Sequence, residues 1–493
     1  MPSAANVEKK SLNMGTFYLQ TDNLAHNQID TKDQIKPEDL KQLQSQLHDI
    51  QAKFKAESKD HDLLVKNLRA WTKCHEHRKT IDETIRVAKE VRENFDADAF
   101  VLIGIGGSDL GARTLHAALN HTQHNLVSKK KRGGAPLVFF TGDTFEPNEL
   151  HDIIDVLEEK NLLPKTIFNV ISKSGTTSET ISAFLILKER LQKKLKELGR
   201  DPKEYGQNIV ATTGLNDKSE LYRLNQRDGL RAVLPVPDGV GGRFSFSSPV
   251  GLLLLGVTTN TNDETIEQRV EQAVAGMAEA ERCGYLDTAQ PENVAYQLAA
   301  VNFLAEQHKK TSIVFYPYSK ILRSLADWYA QLSTESIQKK GQGQNVIPTC
   351  GPIGNHSILN GILEGGRDKF VVFVRVNEFN PQKDFTVPSG SGIGGELTVL
   401  EGKQMSAIQN FSQKGTEINF TDNGILNVTL HLPKVDTFHV FLLMCSLEIA
   451  TTVEGKLRGL EYKGKDGDIK DLTYEQAGVD GYKKETRRLL AES

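Results

Sequence analysis

A cluster of hydroxyl side chains near residue 175 has the composition of an anion-binding loop. Five of the six residues from 172 to 177 carry a side-chain hydrogen-bond donor, and the remaining one is Gly175. The segment stands between an apolar run and a helical pattern, where a single Ser or Thr would be enough to cap the helix. The surplus hydroxyls, the free N–H groups of the helix start and the charge of Lys173 therefore predict a phosphate cradle. Its candidate ligands are Ser172, Lys173, Ser174 and Thr177.

A second candidate anion site is the glycine-rich turn from Gly104 to Gly111. Glycines between a strand and a helix let backbone N–H groups approach an anion, and Gly107 and Ser108 are the candidate binding residues here. Asp109 occupies the place of the third glycine of the dinucleotide-binding pattern, so this turn is not a Rossmann fingerprint. A tight turn without a ligand is the alternative. The chain also lacks the GxxxxGK[ST] pattern, which disfavours nucleotide hydrolysis.

The third candidate is Arg243, which follows Gly241 and Gly242 and precedes an aromatic residue. A planar guanidinium presented into a cleft from such a turn can stabilise an oxyanion that develops during a reaction. An ordinary surface salt bridge is the alternative for this arginine.

These segments need a sheet to position them, because each follows a short apolar run. Continuous apolar runs that alternate with helical patterns are typical of parallel sheets covered on both faces. The strands predicted in the first half are 99–105, 137–140, 166–171, 209–213 and 232–236. The scheme restarts with strands predicted at 312–316, 369–376 and 425–432. The predicted fold class is α/β, with two α/β/α sandwich domains built on parallel sheets.

Four units are expected along the chain. They are an N-terminal helical cap (1–90), two α/β domains (91–258 and 259–455) and a C-terminal helical tail (456–493). Helical spacing of apolar residues from 36 to 68 supports the cap. At roughly 150 residues per domain, a chain of 493 residues suits this division.

Composition excludes several classes of protein. The net charge is −4 without a block of either sign, which argues against a nucleic-acid partner. The four cysteines are far apart and form no CxxC pair, so a reducing compartment is expected. The N-terminus has no apolar core of signal-peptide length, and no apolar run reaches the about 20 residues of a membrane span. We therefore expect a cytoplasmic protein without a membrane partner.

Taken together, the three candidate segments resemble the phosphoglucose isomerase family, which is built from two sugar-isomerase domains. The resembling motifs are Ile103 to Gly111, Ser172 to Thr180 and Gly241 to Ser245. Further motifs in the expected order contain Glu335, His356, and the C-terminal pair of Gln476 and Lys483. The resemblance covers about residues 100 to 490.

The resemblance implies the interconversion of glucose 6-phosphate and fructose 6-phosphate through a cis-enediolate. Glu335 is then the base that moves the proton between C1 and C2, and Arg243 stabilises the enediolate. His356 and Lys483 open the sugar ring, while Gln476 lies at the site and the hydroxyl loop holds the phosphate. The family scheme uses no metal or other cofactor, and it implies a homodimer in which a histidine crosses the interface.

Several alternatives stay open. One is a dual phosphoglucose/phosphomannose isomerase, and another is a non-catalytic regulator that senses sugar phosphates. Gly175 and the stretch before His356 depart from the family pattern, and either departure could alter sugar preference.

A zinc site at Cys74, His75 and His77 is disfavoured, because no second ligand pair accompanies them. Without the family resemblance, Glu335 would be interpreted as a solvated carboxylate at a helix end.

Overall fold

The computed structural model describes residues 15–390, 392, 394–464 and 469–492. The N-terminal part begins with strand β1 (Tyr18–Gln20), followed by helices α1 (Pro37–Glu57), α2 (His61–Lys66) and α3 (Arg78–Lys89). The helices occupy the region predicted as a cap. The strand was not predicted, because three residues are too few to show a period of two.

The first sheet is parallel throughout, as the sequence predicts, and its strand order is β3-β2-β4-β5-β6. Its strands are β2 (Ala99–Ile103), β3 (Leu137–Thr141), β4 (Thr166–Ile171), β5 (Ile209–Thr213) and β6 (Ala232–Pro235). Its helices are α4 (Leu110–Leu119), α5 (Pro147–Glu159), α6 (Ser178–Glu197), α7 (Glu220–Asp228) and α8 (Pro249–Val257). Side chains of β2 alternate between two apolar clusters, with Val101 in one and Phe100 in the other. Both faces are therefore covered, and the apolar strands are buried on each side.

The second sheet has the order β1-β10-β9-β7-β8. Its later strands are β7 (Ser312–Pro317), β8 (Asn345–Pro348), β9 (Lys369–Glu378) and β10 (Asn427–Lys434). These four are parallel, whereas β1 pairs with β10 in the antiparallel direction. The expectation of a wholly parallel second sheet is therefore wrong at this edge. An antiparallel edge strand needs no crossover helix, so the N-terminal segment can supply it.

The helices between and after these strands join the two sheets. They are α9 (Ile266–Gly284), α10 (Val294–Gln307), α11 (Arg323–Ile337), α12 (Leu359–Leu363), α13 (Met405–Asp422) and α14 (Thr437–Leu457). One apolar cluster contains Phe100 of the first sheet, Phe315 of the second and Leu447 of α14. The α14 helix is buried or half-buried along its whole length because it lies in this shared core.

The C-terminal tail contains more structure than the helical tail predicted from the sequence. Strands β11 (Glu461–Lys463) and β12 (Ile469–Asp471) pair in the antiparallel direction. The chain then ends in helix α15 (Asp480–Glu492). Among the described residues, no helix combines the length and the apolar character required to span a bilayer.

Candidate active site

The glycine turn and the arginine turn predicted from the sequence are in direct backbone contact. A Cβ atom at position 107 would lie 2.1 Å from the carbonyl carbon of Gly242 and 2.5 Å from the backbone nitrogen of Arg243. No side chain fits between the two turns, so Gly107 is required by this close approach. The hydroxyl of Ser245 also donates to the carbonyl of Gly107 at 3.3 Å. The first turn thus fixes the place from which Arg243 extends.

Arg243 is buried, with 2% of its surface exposed, and each guanidinium nitrogen has a partner. Its Nε donates to Ser336 Oγ at 2.7 Å, and Nη1 donates to Glu335 Oε2 at 3.2 Å. Nη2 donates to the backbone carbonyls of Thr473 and Glu475 in the C-terminal tail. Burial lowers the pKa of Arg243, and the Glu335 carboxylate acts in the opposite direction. A guanidinium remains charged under these conditions, and the alternative of a surface salt bridge does not apply.

Glu335 lies in the last turn of α11, with 29% of its side chain exposed. Besides Arg243, its carboxylate accepts hydrogen bonds from Gln331 Nε2 at 3.0 Å and from Gln476 Nε2 at 2.9 Å. Three N–H donors around one partly exposed carboxylate hold its oxygens in place while leaving access from solvent. Gln476, predicted at the site, is thus in direct contact with the predicted base.

Two residues of this cluster escaped the sequence analysis. Gln331 lies four residues before Glu335 and falls on the same side of α11, whereas Lys339 lies in the segment just after the helix ends at Ile337. Lys339 Nζ donates to the backbone carbonyls of Glu335 at 2.7 Å and Glu475 at 2.9 Å. Burial and the neighbouring charge of Arg243 lower the pKa of Lys339. Helical spacing before Glu335 was the signal that could have found Gln331, whereas Lys339 follows the helix and has no such signal.

Three aromatic rings pack together at the turn that carries Arg243. Trp71 from the N-terminal part lies 5.1 Å from Phe244, and Phe244 lies 5.2 Å from Tyr474 in the tail, measured between ring centroids. Residues from the N-terminal part and the C-terminal tail therefore pack directly against the turn that carries Arg243.

The hydroxyl loop has the arrangement expected of an anion cradle. Ser172 Oγ lies 2.9 Å from Thr177 Oγ1, and Ser174 Oγ lies 2.8 Å from Thr176 Oγ1. None of these hydroxyls caps α6, because Thr177 at the N-cap position makes no side-chain capping bond. The N–H groups at the start of α6 and the neighbouring hydroxyls are thus available to an anion.

Gly175 has a structural reason to be glycine. Its φ is +68°, and a Cβ atom there would lie 2.7 Å from the backbone nitrogen of Glu220. The start of α7 therefore packs directly against the hydroxyl loop at this position.

The ammonium of Lys173 is directed away from the hydroxyls of the loop. Lys173 Nζ donates to the backbone carbonyl of Val240 at 3.0 Å and approaches that of Pro237 at 3.5 Å. Burial lowers the pKa of Lys173. This lysine links the hydroxyl loop to the segment that leads into the Arg243 turn.

Lys483 lies on the opposite wall of a cavity from the hydroxyl loop. Ser174, Thr176 and Thr177 line one wall, and Lys483 and Arg487 of α15 line the other. The C-terminal tail thus reaches both parts of the site, with Gln476 at Glu335 and Lys483 at the hydroxyl loop. Arg487 was not predicted.

Comparisons with known proteins show which family the chain is similar to. The phosphoglucose isomerase family model matches residues 64–353. The glucose-6-phosphate isomerase of Levilactobacillus brevis is 33% identical over 406 residues, which is 82% of this chain and 82% of that protein. The glucose-6-phosphate isomerase of Carboxydothermus hydrogenoformans is 32% identical over 421 residues, which is 83% of this chain and 85% of that protein.

The chain belongs to the phosphoglucose isomerase family.

Solved structures share the fold. A hypothetical protein of Thermus thermophilus has a TM-score of 0.76 at 26% identity, covering 97% of this chain and 100% of that one. A glucose-6-phosphate isomerase of Chlamydia trachomatis has a TM-score of 0.63 at 18% identity, covering 84% of this chain and 73% of that one. The α/β fold with parallel sheets predicted from the sequence is therefore confirmed.

The phosphoglucose isomerase match begins at residue 64, before the region of about 100 to 490 in which the motifs lie. It contains Arg243, Glu335 and the hydroxyl loop. His356, Gln476 and Lys483 lie beyond it and depend on their own motifs and positions.

His356 is the predicted site residue that stands apart from the others. It ends a short helical turn (Ile353–His356), is exposed, and its imidazole makes no hydrogen bond within the described part of the chain. Its neighbour Asn355 is held by Tyr316 at 2.6 Å, Tyr318 at 2.8 Å and Thr416 at 2.9 Å. The turn is anchored, and the imidazole at its tip is left free to contact another molecule.

The histidines beside Cys74 were the one candidate metal site. Cys74 is buried, and His75 lies near Glu76 and Glu281 instead. Lys73 Nζ lies 2.7 Å from a carboxylate oxygen of each glutamate. An ammonium therefore already neutralises these carboxylates, which disfavours a cation between them.

Proposed function

We propose that the protein interconverts glucose 6-phosphate and fructose 6-phosphate by proton transfer through a cis-enediolate. The observation that carries the proposal is the contact between Arg243 and Glu335, which places a fixed cation beside a partly exposed carboxylate. Relatives that are 33% and 32% identical are glucose-6-phosphate isomerases. In the cell this reaction serves glycolysis and gluconeogenesis.

The carbon step needs one base. Glu335 takes the proton from C2 of the aldose and returns it to C1, while a second proton passes from the C2 oxygen to the C1 oxygen, so aldose and ketose exchange without a net change in protons. Gln331 and Gln476 hold the carboxylate in the orientation that this transfer requires. Positioned acid-base catalysis contributes about 10² to 10⁴ in rate.

The enediolate oxygens carry negative charge, and the buried guanidinium of Arg243 stabilises them. Its partners keep the cation in place before the reaction begins, so little reorganisation is needed when the charge develops. The hydroxyls of Ser172, Ser174 and Thr177 and the N–H groups of Gly107 and Ser108 bind the substrate away from the reacting carbons. Binding energy of this kind holds the sugar in reacting geometry.

Ring opening requires a proton donor and an acceptor at the ring oxygen and the C1 hydroxyl. We assign these roles to Lys483, which faces the hydroxyl loop, and to His356. Because His356 lies free at the tip of an exposed turn, we assign the histidine of each site to a second copy of the chain in a homodimer.

Exposed apolar side chains on the same side of the molecule support the homodimer. Phe385 is 75% exposed, and Met405 and Phe411 at the start of α13 are 53% and 70% exposed. The α13 helix is bonded to the His356 turn through Thr416 and Asn355. A substitution of Phe411→Asp should lower both the dimer fraction in sedimentation and the turnover. An active monomeric wild type would contradict the assignment.

We also place the protein in the cytoplasm. Cys74, Cys283, Cys350 and Cys445 are all buried and unpaired, which suits a reducing compartment. Fractionation of cells that produce the protein would test this location.

Turnover of fructose 6-phosphate in a coupled assay tests the function. Glu335→Gln keeps the shape of the side chain, removes the base, and should lower kcat by about 10² to 10⁴. The matched control is Glu159→Gln, because Glu159 is an exposed glutamate at the end of α5 and should show the wild-type rate. Equal rates for Glu335→Gln and wild type would refute the mechanism. Mannose 6-phosphate measured alongside decides between single and dual specificity, and an inactive wild type that binds sugar phosphate would favour a sensing regulator.

A further inference from the structure

Two cations of the C-terminal helix face the hydroxyl loop across one cavity. Lys483 and Arg487 are four residues apart on α15, and both line the cavity with Ser174, Thr176 and Thr177. Glu179 is the carboxylate on this lining. The lining therefore holds two positive charges and one negative charge, together with six hydroxyls that can donate hydrogen bonds.

The charge of Arg487 is not neutralised by the described part of the chain. The Arg487 guanidinium makes no ion pair or hydrogen bond with any described residue, whereas the guanidinium of the adjacent Arg488 bonds to Glu485 at 2.9 Å and Glu492 at 2.7 Å. Two like charges at this spacing disfavour the helix that carries them. An anion between the two side chains and the hydroxyl loop would remove that repulsion.

We infer that Arg487 is a cationic ligand of the substrate phosphate, in addition to the hydroxyl loop. This inference rests on the proposed function for the identity of the substrate. A guanidinium can donate two parallel hydrogen bonds to a phosphate, which an ammonium cannot do. With Arg487 bonded to the phosphate, Lys483 is not needed as its sole cation and can serve the sugar ring.

Arg487 binds the substrate phosphate and takes no part in the proton transfer. The phosphate lies at the far end of the sugar from the carbons that exchange a proton, so its contacts are the same in the substrate and the transition state. Loss of such a contact raises KM and leaves kcat unchanged. It also weakens inhibition by inorganic phosphate, which would bind the same residues.

The test compares three variants in steady-state turnover of fructose 6-phosphate, with inorganic phosphate as a competitive inhibitor. Arg487→Ala should raise KM and the phosphate inhibition constant about tenfold, because hydrogen bonds to charged groups have about this effect. Arg487→Lys keeps the charge but not the paired bonds and should fall between Arg487→Ala and wild type. Arg488→Ala is the matched control and should behave as wild type. Unchanged KM and inhibition constant in Arg487→Ala would overturn the inference.

A binding measurement separates this inference from the proposed function. The thermal midpoint of each variant is followed against the concentration of inorganic phosphate, which reports binding without turnover. If wild type is inactive but its phosphate stabilisation is lost in Arg487→Ala, the isomerase proposal fails and the anion site stands. If wild type is active and Arg487→Ala is stabilised by phosphate as wild type is, the isomerase proposal stands and Arg487 is not a ligand. Arg487→Lys supplies the same comparison if Arg487→Ala does not fold.

Discussion

The surroundings of Arg243 and the hydroxyl loop differ in how their polar groups are hydrogen-bonded. Around Arg243, partners come from α11 and from the C-terminal tail, and each nitrogen of the guanidinium is bonded before any substrate binds. In the hydroxyl loop, the hydroxyls bond to one another, and three of them line a cavity. The first region is fixed by the fold, and the second can exchange its internal bonds for bonds to an anion.

This difference follows from the task of each region. A cation that stabilises developing charge acts best when it is already oriented, so burial and full hydrogen bonding favour catalysis. A group that binds and releases a phosphate must remain accessible. We therefore expect substitutions near Arg243 to lower kcat and substitutions in the loop to raise KM.

The largest effect is expected at Arg243. Arg243→Ala removes the preorganised cation and should lower kcat by about 10² to 10³, as loss of an oxyanion donor does in other enzymes. Ser336→Ala removes only one partner of the guanidinium and should lower kcat much less. Steady-state kinetics with fructose 6-phosphate measure both. A large rise in KM at unchanged kcat for Arg243→Ala would show that Arg243 binds the substrate as the hydroxyl loop does. The expected difference between the two regions would then be wrong.

The contact between the two turns should appear in stability. Gly107→Ala places a methyl group against the backbone of Gly242 and should lower the free energy of unfolding by about 1 to 3 kcal/mol, with a loss of kcat as Arg243 shifts. Gly242→Ala is the control, because a Cβ atom there meets nothing within 4 Å. Urea unfolding of both variants measures the difference. Equal stability of the two would mean that the turns separate easily.

The smallest effect is expected in the hydroxyl loop. Ser174→Ala removes one of several donors and leaves Thr176 and Thr177 in place. One neutral hydrogen bond contributes about 0.5 to 1.5 kcal/mol, so KM should rise by roughly two- to tenfold at unchanged kcat. A lowered kcat at unchanged KM would show that the loop takes part in the chemistry.

The sequence predicts the strands well where both faces of the sheet are buried. Strands β2, β4 and β5 were found because parallel strands covered by helices appear as continuous apolar runs. Strands β1 and β8 have three and four residues, and β8 is only partly buried. With three residues in β1 and no buried residue in β8, these two strands carry too little pattern to be recognised from the sequence.

The site could be predicted as a set of motifs but not as a set of contacts. Glu335 came from the family resemblance, since a glutamate before two lysines at a helix end has no distinctive pattern of its own. The direction of Lys173 toward Val240 depends on the loop before Arg243, which lies more than sixty residues further along the chain. Arg487 escaped prediction because its significance depends on which residues α15 faces. These contacts depend on tertiary packing, which the sequence pattern does not show.

The central claim is that Glu335 moves the proton between C1 and C2, and hydrogen exchange tests it most directly. Fructose 6-phosphate is incubated with each variant in deuterium oxide, and deuterium at C1 is followed by nuclear magnetic resonance. A base that takes and returns the proton exchanges some of it with solvent, so wild type should incorporate deuterium. Glu335→Gln should show neither incorporation nor isomerisation, while Arg243→Ala should slow both. Deuterium incorporation by Glu335→Gln at the wild-type rate would contradict the account.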